Sequence, residues 1–327
     1  MLLSLVAIVA GFAILIWGAD RFVIGAAALA RNLGVDPLLI GLTVVGLGTS
    51  APEILVSTMA ALQGNPGLAM GNAVGSNIAN IGLILGVSAL AAPLVVQSHV
   101  LWREFPLLLG VSLAVYLMLA DGHLGRLDGT LMLLGLIGAM GWIVHLGRQR
   151  AAREPLEEEF AEEIPADMGT GAATAWTLIG LVLLVLSSRM LVWGAVNIAT
   201  ALGVSDLVIG LTIVAIGTSL PELAASVAAT LKGEDDLAVG NIIGSNIFNM
   251  LAVLCVPALI APFDVGQVVI LRDMPVMLAL TAALFFMGRG GPDNGTISRL
   301  EGAILLGAFV IYQSWIYITA QPHLPGA

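Results

Sequence analysis

The sequence predicts an all-α integral membrane protein of about ten transmembrane helices, arranged as two inverted five-helix repeats. Three observations predict it. The 327 residues are 58% hydrophobic and 10% charged, with a mean hydropathy of +1.01, which excludes a water-soluble globular domain. Apolar runs of roughly 20 residues recur, each long enough to cross a hydrocarbon core of about 30 Å. The stretch Gly41 to Gly86, GLTVVGLGTSAPEILVS running on to GNAVGSNIANIGLILG, returns at Gly210 to Leu254 as GLTIVAIGTSLPELAAS and GNIIGSNIFNMLAVL, at a constant offset of 169 residues.

Ten spans follow, near 2–30, 38–62, 67–92, 104–121, 127–147, 174–200, 207–231, 237–261, 272–288 and 299–319. The first opens apolar at Met1 with no basic segment ahead of it, so it is expected to stay rather than be cleaved. Asp20-Arg21 in the first span and Arg189 at the matching place in the sixth are read as pairing or snorkelling charges.

The second and seventh spans carry Pro52 and Pro221 in mid-span. A proline has no N–H to donate, so the carbonyls of Gly48 and Gly217 lose their helical partner. In lipid such a carbonyl needs another group. It is met by a neighbouring helix, or by a cation at an opened turn. Glu53 and Glu222, one residue further on, favour the cation. They are the carboxylates that fall in the middle of predicted spans, and a carboxylate there usually marks an ion pathway or proton relay. Thr49 and Ser50 lie four and three residues before Glu53, on adjoining helical faces.

The third and eighth spans supply a second wall. Asn72, Ser76 and Asn80 recur at i, i+4 and i+8, as do Asn241, Ser245 and Asn249, so one face of each helix carries oxygen and amide groups. Gly71, Gly75, Gly82 and Gly86, with Gly240 and Gly244, give the small-residue spacing that lets helices approach closely. Asn77 and Asn246 lie off the stripe and are read as structural.

Arg103-Glu104 and Arg272-Asp273 echo each other at the expected starts of the fourth and ninth spans, as interface anchors with an acidic first turn. Trp102, Trp142, Trp176 and Trp315 near span ends fit an aromatic belt. His99, His123, His145 and His323 show no metal-ligand spacing. The one cysteine, Cys255, excludes an internal disulfide and is read as a small packing residue.

The expected division is a first repeat over 1–147, an acidic linker over 148–173 and a second repeat over 174–327. Seven of the 22 acids lie between Glu154 and Asp167, so the net charge of −10 largely reports this solvated linker rather than a basic partner. Five spans per half bring the second copy in from the opposite side. With the N-terminus outside, Arg31, Arg103, Arg148, Arg150, Arg153, Lys232, Arg289 and Arg299 fall in or beside inner connections, and Arg126 and Arg272 in outer ones. The bias towards inner basic residues supports termini outside and the linker in the cytoplasm. Inverted repeats with broken helices and a site at the midplane are the architecture of secondary transporters.

GTSAPE and GTSLPE, each followed by a GN-x-x-GSN-I-x-N run, resemble the two alpha-repeats of the sodium/calcium exchanger family, prokaryotic type, within the cation/calcium antiporter superfamily. The resemblance implies a pocket between the second, third, seventh and eighth helices. There Glu53 and Glu222 would be the principal Ca²⁺ ligands, shared with Na⁺. Thr49, Ser50, Thr218 and Ser219 would add hydroxyl or backbone oxygens, and Ser76 and Ser245 side-chain oxygens. Asn80 and Asn249 would close the pocket. Some members carry Asp at the position of Asn249, whereas this chain has Asn in both halves. Proton-coupled relatives usually show a GN-A-x-E type core in place of GTS-x-PE, which favours Na⁺ over H⁺. Independently, an oxygen-only ligand set suits Ca²⁺, a hard cation taking about 6–8 oxygens.

The expected activity is Na⁺/Ca²⁺ antiport by alternating access. The alternatives are a Ca²⁺/H⁺ antiporter, whose glutamates would carry protons, and a cation channel, which would conduct without a counter-ion. No nucleophile–base pair or catalytic metal motif appears at membrane depth, so an enzyme is not expected. The expected partners are Ca²⁺, Na⁺ and the lipid bilayer, with no cofactor and no nucleic acid. The chain is expected to work as a monomer in a prokaryotic inner membrane.

Overall fold

The computed structural model describes residues 1–34, 46–97, 103–151, 168–233, 235–289 and 294–320. The start of the second expected span, the acidic run of the linker, His99, Trp102 and His323 lie outside the described residues.

Ten helical units follow in order. Helix α1 is Leu2–Asn32, and α2 is in two pieces, Gly46–Thr49 and Ala51–Leu62. Next come α3, Pro66–Ala91; α4, Phe105–Met118; and α5, Arg126–Ala151. The second half repeats the series with α6, Thr170–Leu202, and α7 in two pieces, Asp206–Thr218 and Leu220–Lys232. Helix α8 runs Asp235–Phe248 and continues through Asn249–Val253 into Cys255–Ile260. Helix α9 is Val269–Gly288 and α10 is Arg299–Ala320. Six described helices are long and apolar enough to cross a membrane, or seven with the two pieces of α7 taken as one span.

Local chemistry sets these ends. Pro52, Pro66, Pro106 and Pro221 stand at the first or second position of their helices or helix pieces, where a missing N–H costs nothing. Gly203 and Gly233 end α6 and α7 in the left-handed region, at φ 65° and 80°, which a side chain would strain. Leu134, Ile137, Leu178, Val182 and Ile311 are exposed, and this lipid-facing surface needs no water.

The repeat is inverted. Equivalent helices α1 and α6 pack antiparallel, with Gly11 against Leu191, Gly18 against Leu183 and Gly25 against Thr177. Two short strand pairs, which hydropathy did not reveal, agree. Strand β1, Leu94–Gln97, pairs antiparallel with β4, Asn294–Ile297, and β2, His123–Leu124, pairs with β3, Phe263–Asp264. Leu94 and Phe263 are equivalent at the repeat offset, yet each pairs with the other half's following connection. The α3–α4 connection thus lies beside α9–α10, and α4–α5 beside α8–α9. Histidine 123 adds a contact across the second pair, its Nδ1 standing 2.8 Å from Asp264 Oδ1.

Two expectations need correction. Helix α9 begins at Val269 rather than near 272, so Asp273 is not a first-turn interface acid. It is fully buried, bound by Arg272 Nε at 2.6 Å and by the Tyr312 hydroxyl at 2.9 Å. A buried carboxylate persists only with such partners. The glycine packing is also one-sided. A Cβ at Gly71 would stand 2.5 Å from the Leu207 carbonyl oxygen, whereas none of the described residues comes within 4 Å of one at Gly240 or Gly244.

Candidate cation site

The two broken helices and one π turn in each of α3 and α8 build one interior. In α2 the break falls at Ser50 and in α7 at Ser219, with a 45° bend between the α7 pieces. Each second piece therefore starts at the proline and carries its glutamate in the first turn, Glu53 in α2 and Glu222 in α7. Both are buried, at 1% exposure, and close enough to feel one another's charge. A helix N-terminus directs its free N–H groups and positive dipole end towards such carboxylates.

Helices α3 and α8 each widen into a π turn, at Asn80–Leu85 and Asn249–Val253. The predicted amides Asn80 and Asn249 open these turns, a feature frequent at functional sites. The α8 π turn packs against the second piece of α2, and the α3 π turn against the second piece of α7. Each half thus brings its amide turn to the other half's carboxylate-bearing helix.

Hydrogen bonds fix part of the set. The Ser219 hydroxyl donates to Glu53 Oε1 at 3.3 Å, across the halves, and the Ser245 hydroxyl to Glu222 Oε1 at 3.4 Å, within one half. Thr218 lies beside Glu53 and donates to Asn72 Oδ1 at 3.0 Å. Asn80 Nδ2 donates to Asn246 Oδ1 at 2.9 Å. Thr49 is half-buried.

Other oxygens are buried without a partner among the described residues. At predicted site positions they are Ser50 Oγ, Glu53 Oε2, Ser76 Oγ, Asn80 Oδ1, Glu222 Oε2 and Asn249 Oδ1, and elsewhere Asn77 Oδ1 and the hydroxyls of Ser88, Ser112 and Ser188. A buried polar atom left unpaired costs about 1–3 kcal/mol. The six at predicted positions fall on the broken and π-turned helices α2, α3, α7 and α8, where a bound cation would offset that cost. Two carboxylates with hydroxyl and amide oxygens are the donor set a hard cation takes.

Several positions were missed or undervalued from sequence. Asn72 Nδ2 donates to the Glu53 carbonyl at 3.1 Å and to Ser57 Oγ at 2.9 Å, so Asn72 ties α2 to α7 through Thr218. The equivalent Asn241 reaches Ser226 Oγ at 3.2 Å. Ser57 and Ser226 lie four residues past the glutamates at equivalent positions, the one signal that could have found them. Asn77, read as off the stripe, donates to the carbonyl of its own equivalent, Asn246, at 3.4 Å and touches Met277 Sδ. The pseudo-twofold axis passes between these two asparagines.

The halves are not equally closed. Gly71, Asn72 and Gly75 are buried, while their equivalents Gly240, Asn241 and Gly244 are half-buried. Asn72→Leu should therefore be costly. It strips the Ser57 and Thr218 side chains of a shared partner in a buried setting, a loss of about 2–4 kcal/mol. Thermal unfolding in detergent measures it, and Asn241→Leu should cost less.

Comparison with known proteins agrees with this architecture. The family described as "Sodium/calcium exchanger protein" matches residues 3–144 and 172–318. CaxA of Alkalimonas amylolytica is 51% identical over 97% of this chain and 99% of its own length. The sodium/calcium exchanger MaX1 of Methanosarcina acetivorans is 30% identical over 92% of this chain and 95% of its own. A solved structure of the sodium-calcium exchanger NCX_Mj superimposes with a TM-score of 0.64 at 31% identity, covering 96% of this chain and 98% of that one.

Proposed function

The chain belongs to the sodium/calcium exchanger family, and from that premise we propose that it couples Ca²⁺ movement to Na⁺ rather than to protons. It is a multi-pass membrane transporter, not an enzyme. We propose further that Glu53 and Glu222 are the charged ligands, with Thr49, Ser50, Ser76, Asn80, Thr218, Ser219, Ser245 and Asn249 as the neutral ones. The observation that carries this is that six of these ten positions, drawn from both halves, hold a buried oxygen without a partner among the described residues.

One Ca²⁺ neutralises the two carboxylates and replaces much of its lost hydration with fixed oxygens. Sodium ions compete for the same oxygens, so the site holds Ca²⁺ or Na⁺, neutral with one Ca²⁺ and left with two negative charges when empty. The two halves supply near-equivalent walls, and the unequal burial of Asn72 and Asn241 suits a site exposed to one side at a time. The inner-membrane orientation with both termini outside is part of the proposal.

Two measurements test it. In proteoliposomes at equal pH on both sides, an outward Na⁺ gradient should drive Ca²⁺ uptake, and a pH gradient without Na⁺ should not. The reverse result makes the glutamates proton carriers and favours Ca²⁺/H⁺ antiport. Flux should also follow membrane potential. The family resemblance implies about three Na⁺ per Ca²⁺, so one charge crosses per cycle, worth roughly 2.3 kcal/mol per 100 mV. An inside-negative potential clamped with K⁺ and an ionophore should favour Na⁺ entry and Ca²⁺ exit. Indifference to the clamp would mean two Na⁺ per Ca²⁺.

A further inference from the structure

Away from the cation site, one pocket on the lipid-facing side has polar chemistry that the exchange cycle does not use. Its volume is about 430 Å³ and it is lined by Gln63, Leu186, Arg189, Met190 and Trp193. Four of these belong to α6, and Gln63 caps the end of α2.

The outer face of α6 carries Leu178, Val182, Val185, Leu186 and Trp193, all exposed. Arg189 lies on this stripe and is also exposed. It forms none of the salt bridges found among the described residues. A cation on an apolar helix face is costly in hydrocarbon, so its depth decides what it meets. Gln63 follows Glu53 by ten residues along the same helical piece. That is about 15 Å at 1.5 Å per residue, half of a hydrocarbon core about 30 Å thick. With the two glutamates at the midplane, the pocket stands where acyl chains give way to headgroups. Trp193, one turn beyond Arg189, is the residue type found at that boundary.

The repeat does not impose this pocket. At the equivalent positions the other half has Asp20 for Arg189, Arg21 for Met190 and Lys232 for Gln63. There Arg21 Nε stands 3.5 Å from Asp20, and its guanidinium lies over the rings of Trp17 and Trp176. That cation has a carboxylate beside it, and Arg189 has none among the described residues.

We propose that the pocket binds the headgroup phosphate of an anionic phospholipid. Arg189 and the Gln63 amide donate to the phosphate oxygens, Trp193 sits at headgroup level, and Leu186 and Met190 line the first methylenes. A guanidinium forms paired, charge-assisted bonds to phosphate. Among the described residues no acid lines the pocket, so none of them holds the ammonium of a zwitterionic headgroup. The site depends on the membrane setting and not on which ion is coupled to Ca²⁺.

The test uses the full chain purified in a neutral detergent and titrated with phosphatidylglycerol or phosphatidylcholine, bound lipid being counted by native mass spectrometry. Wild type should retain a phosphatidylglycerol that R189Q binds about tenfold more weakly, the loss of a charge-assisted pair, with R189K intermediate. Phosphatidylcholine should bind wild type and R189Q alike. Unfolding temperatures without lipid should match, which shows that R189Q is folded. Equal phosphatidylglycerol retention by wild type and R189Q would overturn the site, as would an equal Arg189-dependence with phosphatidylcholine. Displacement of the lipid by millimolar inorganic phosphate would identify a water-facing anion site instead, and so would overturn the lipid assignment.

Discussion

Glu53→Gln and Glu222→Gln should each abolish Ca²⁺ transport, with a loss of at least about a hundredfold, while the protein still folds and inserts. Each glutamate is buried at the start of a broken helix piece, with one carboxylate oxygen held by a serine and the other unpartnered. An amide of the same shape keeps an oxygen and loses the charge. A divalent ion entering this interior gives up hydration worth far more than neutral oxygens restore. A hundredfold is about 2.7 kcal/mol, modest for removing one of two charges beside a desolvated dication. Folding should survive, because no cationic side chain depends on either carboxylate among the described salt bridges. The measurement is Ca²⁺ flux per folded chain after reconstitution, with monodispersity as the control. Flux near wild type in either variant would remove that carboxylate from the site.

Gly210→Val should abolish the folded protein. Helices α3 and α7 meet backbone to backbone here. A Cβ at Gly210 would lie 2.6 Å from the Leu68 carbonyl oxygen and 2.9 Å from the Gly71 Cα. Neither neighbour is a side chain that can rotate away, so the helices must separate. Overpacking with a movable neighbour already costs about 1–3 kcal/mol, and here the cost should exceed that range. Gly67→Ala on α3, one turn before Gly71, is the control. Its Cβ would stand 3.4 Å from the nearest atom, Leu207 N, and should be tolerated. Yield and monodispersity after detergent extraction distinguish the two, and a well-folded Gly210→Val would contradict the close α3–α7 contact.

The ten helices and their duplication were legible because both signals are local. Hydropathy gives length, and a constant offset gives the repeat. An odd number of spans per half gives the inversion, which the antiparallel α1–α6 contact displays. The breaks in α2 and α7 were legible from Pro52 and Pro221, which remove N–H groups wherever they stand.

What failed to show depends on partners distant in sequence. Strands β1 to β4 are two to four residues long and pair across the halves, which no local pattern announces. Asp273 looked like a first-turn acid because the α9 boundary was placed three residues late. Its burial depends on Tyr312 from α10. Asn72 was visible only as part of the polar stripe and Ser57 not at all, because their bond to each other joins different helices. The unequal burial of the halves is invisible in sequence for a deeper reason. Near-identical motifs cannot say which copy is closed in a given state.

Equilibrium Ca²⁺ binding to the purified chain, titrated against Na⁺ at constant ionic strength, tests the central claim most directly. A shared site should give saturable Ca²⁺ binding that Na⁺ displaces competitively, with more than one Na⁺ per Ca²⁺ released, and that binding should be lost in Glu53→Gln or Glu222→Gln. Ca²⁺ binding indifferent to Na⁺, or unchanged in both variants, would contradict a single shared site between the two glutamates.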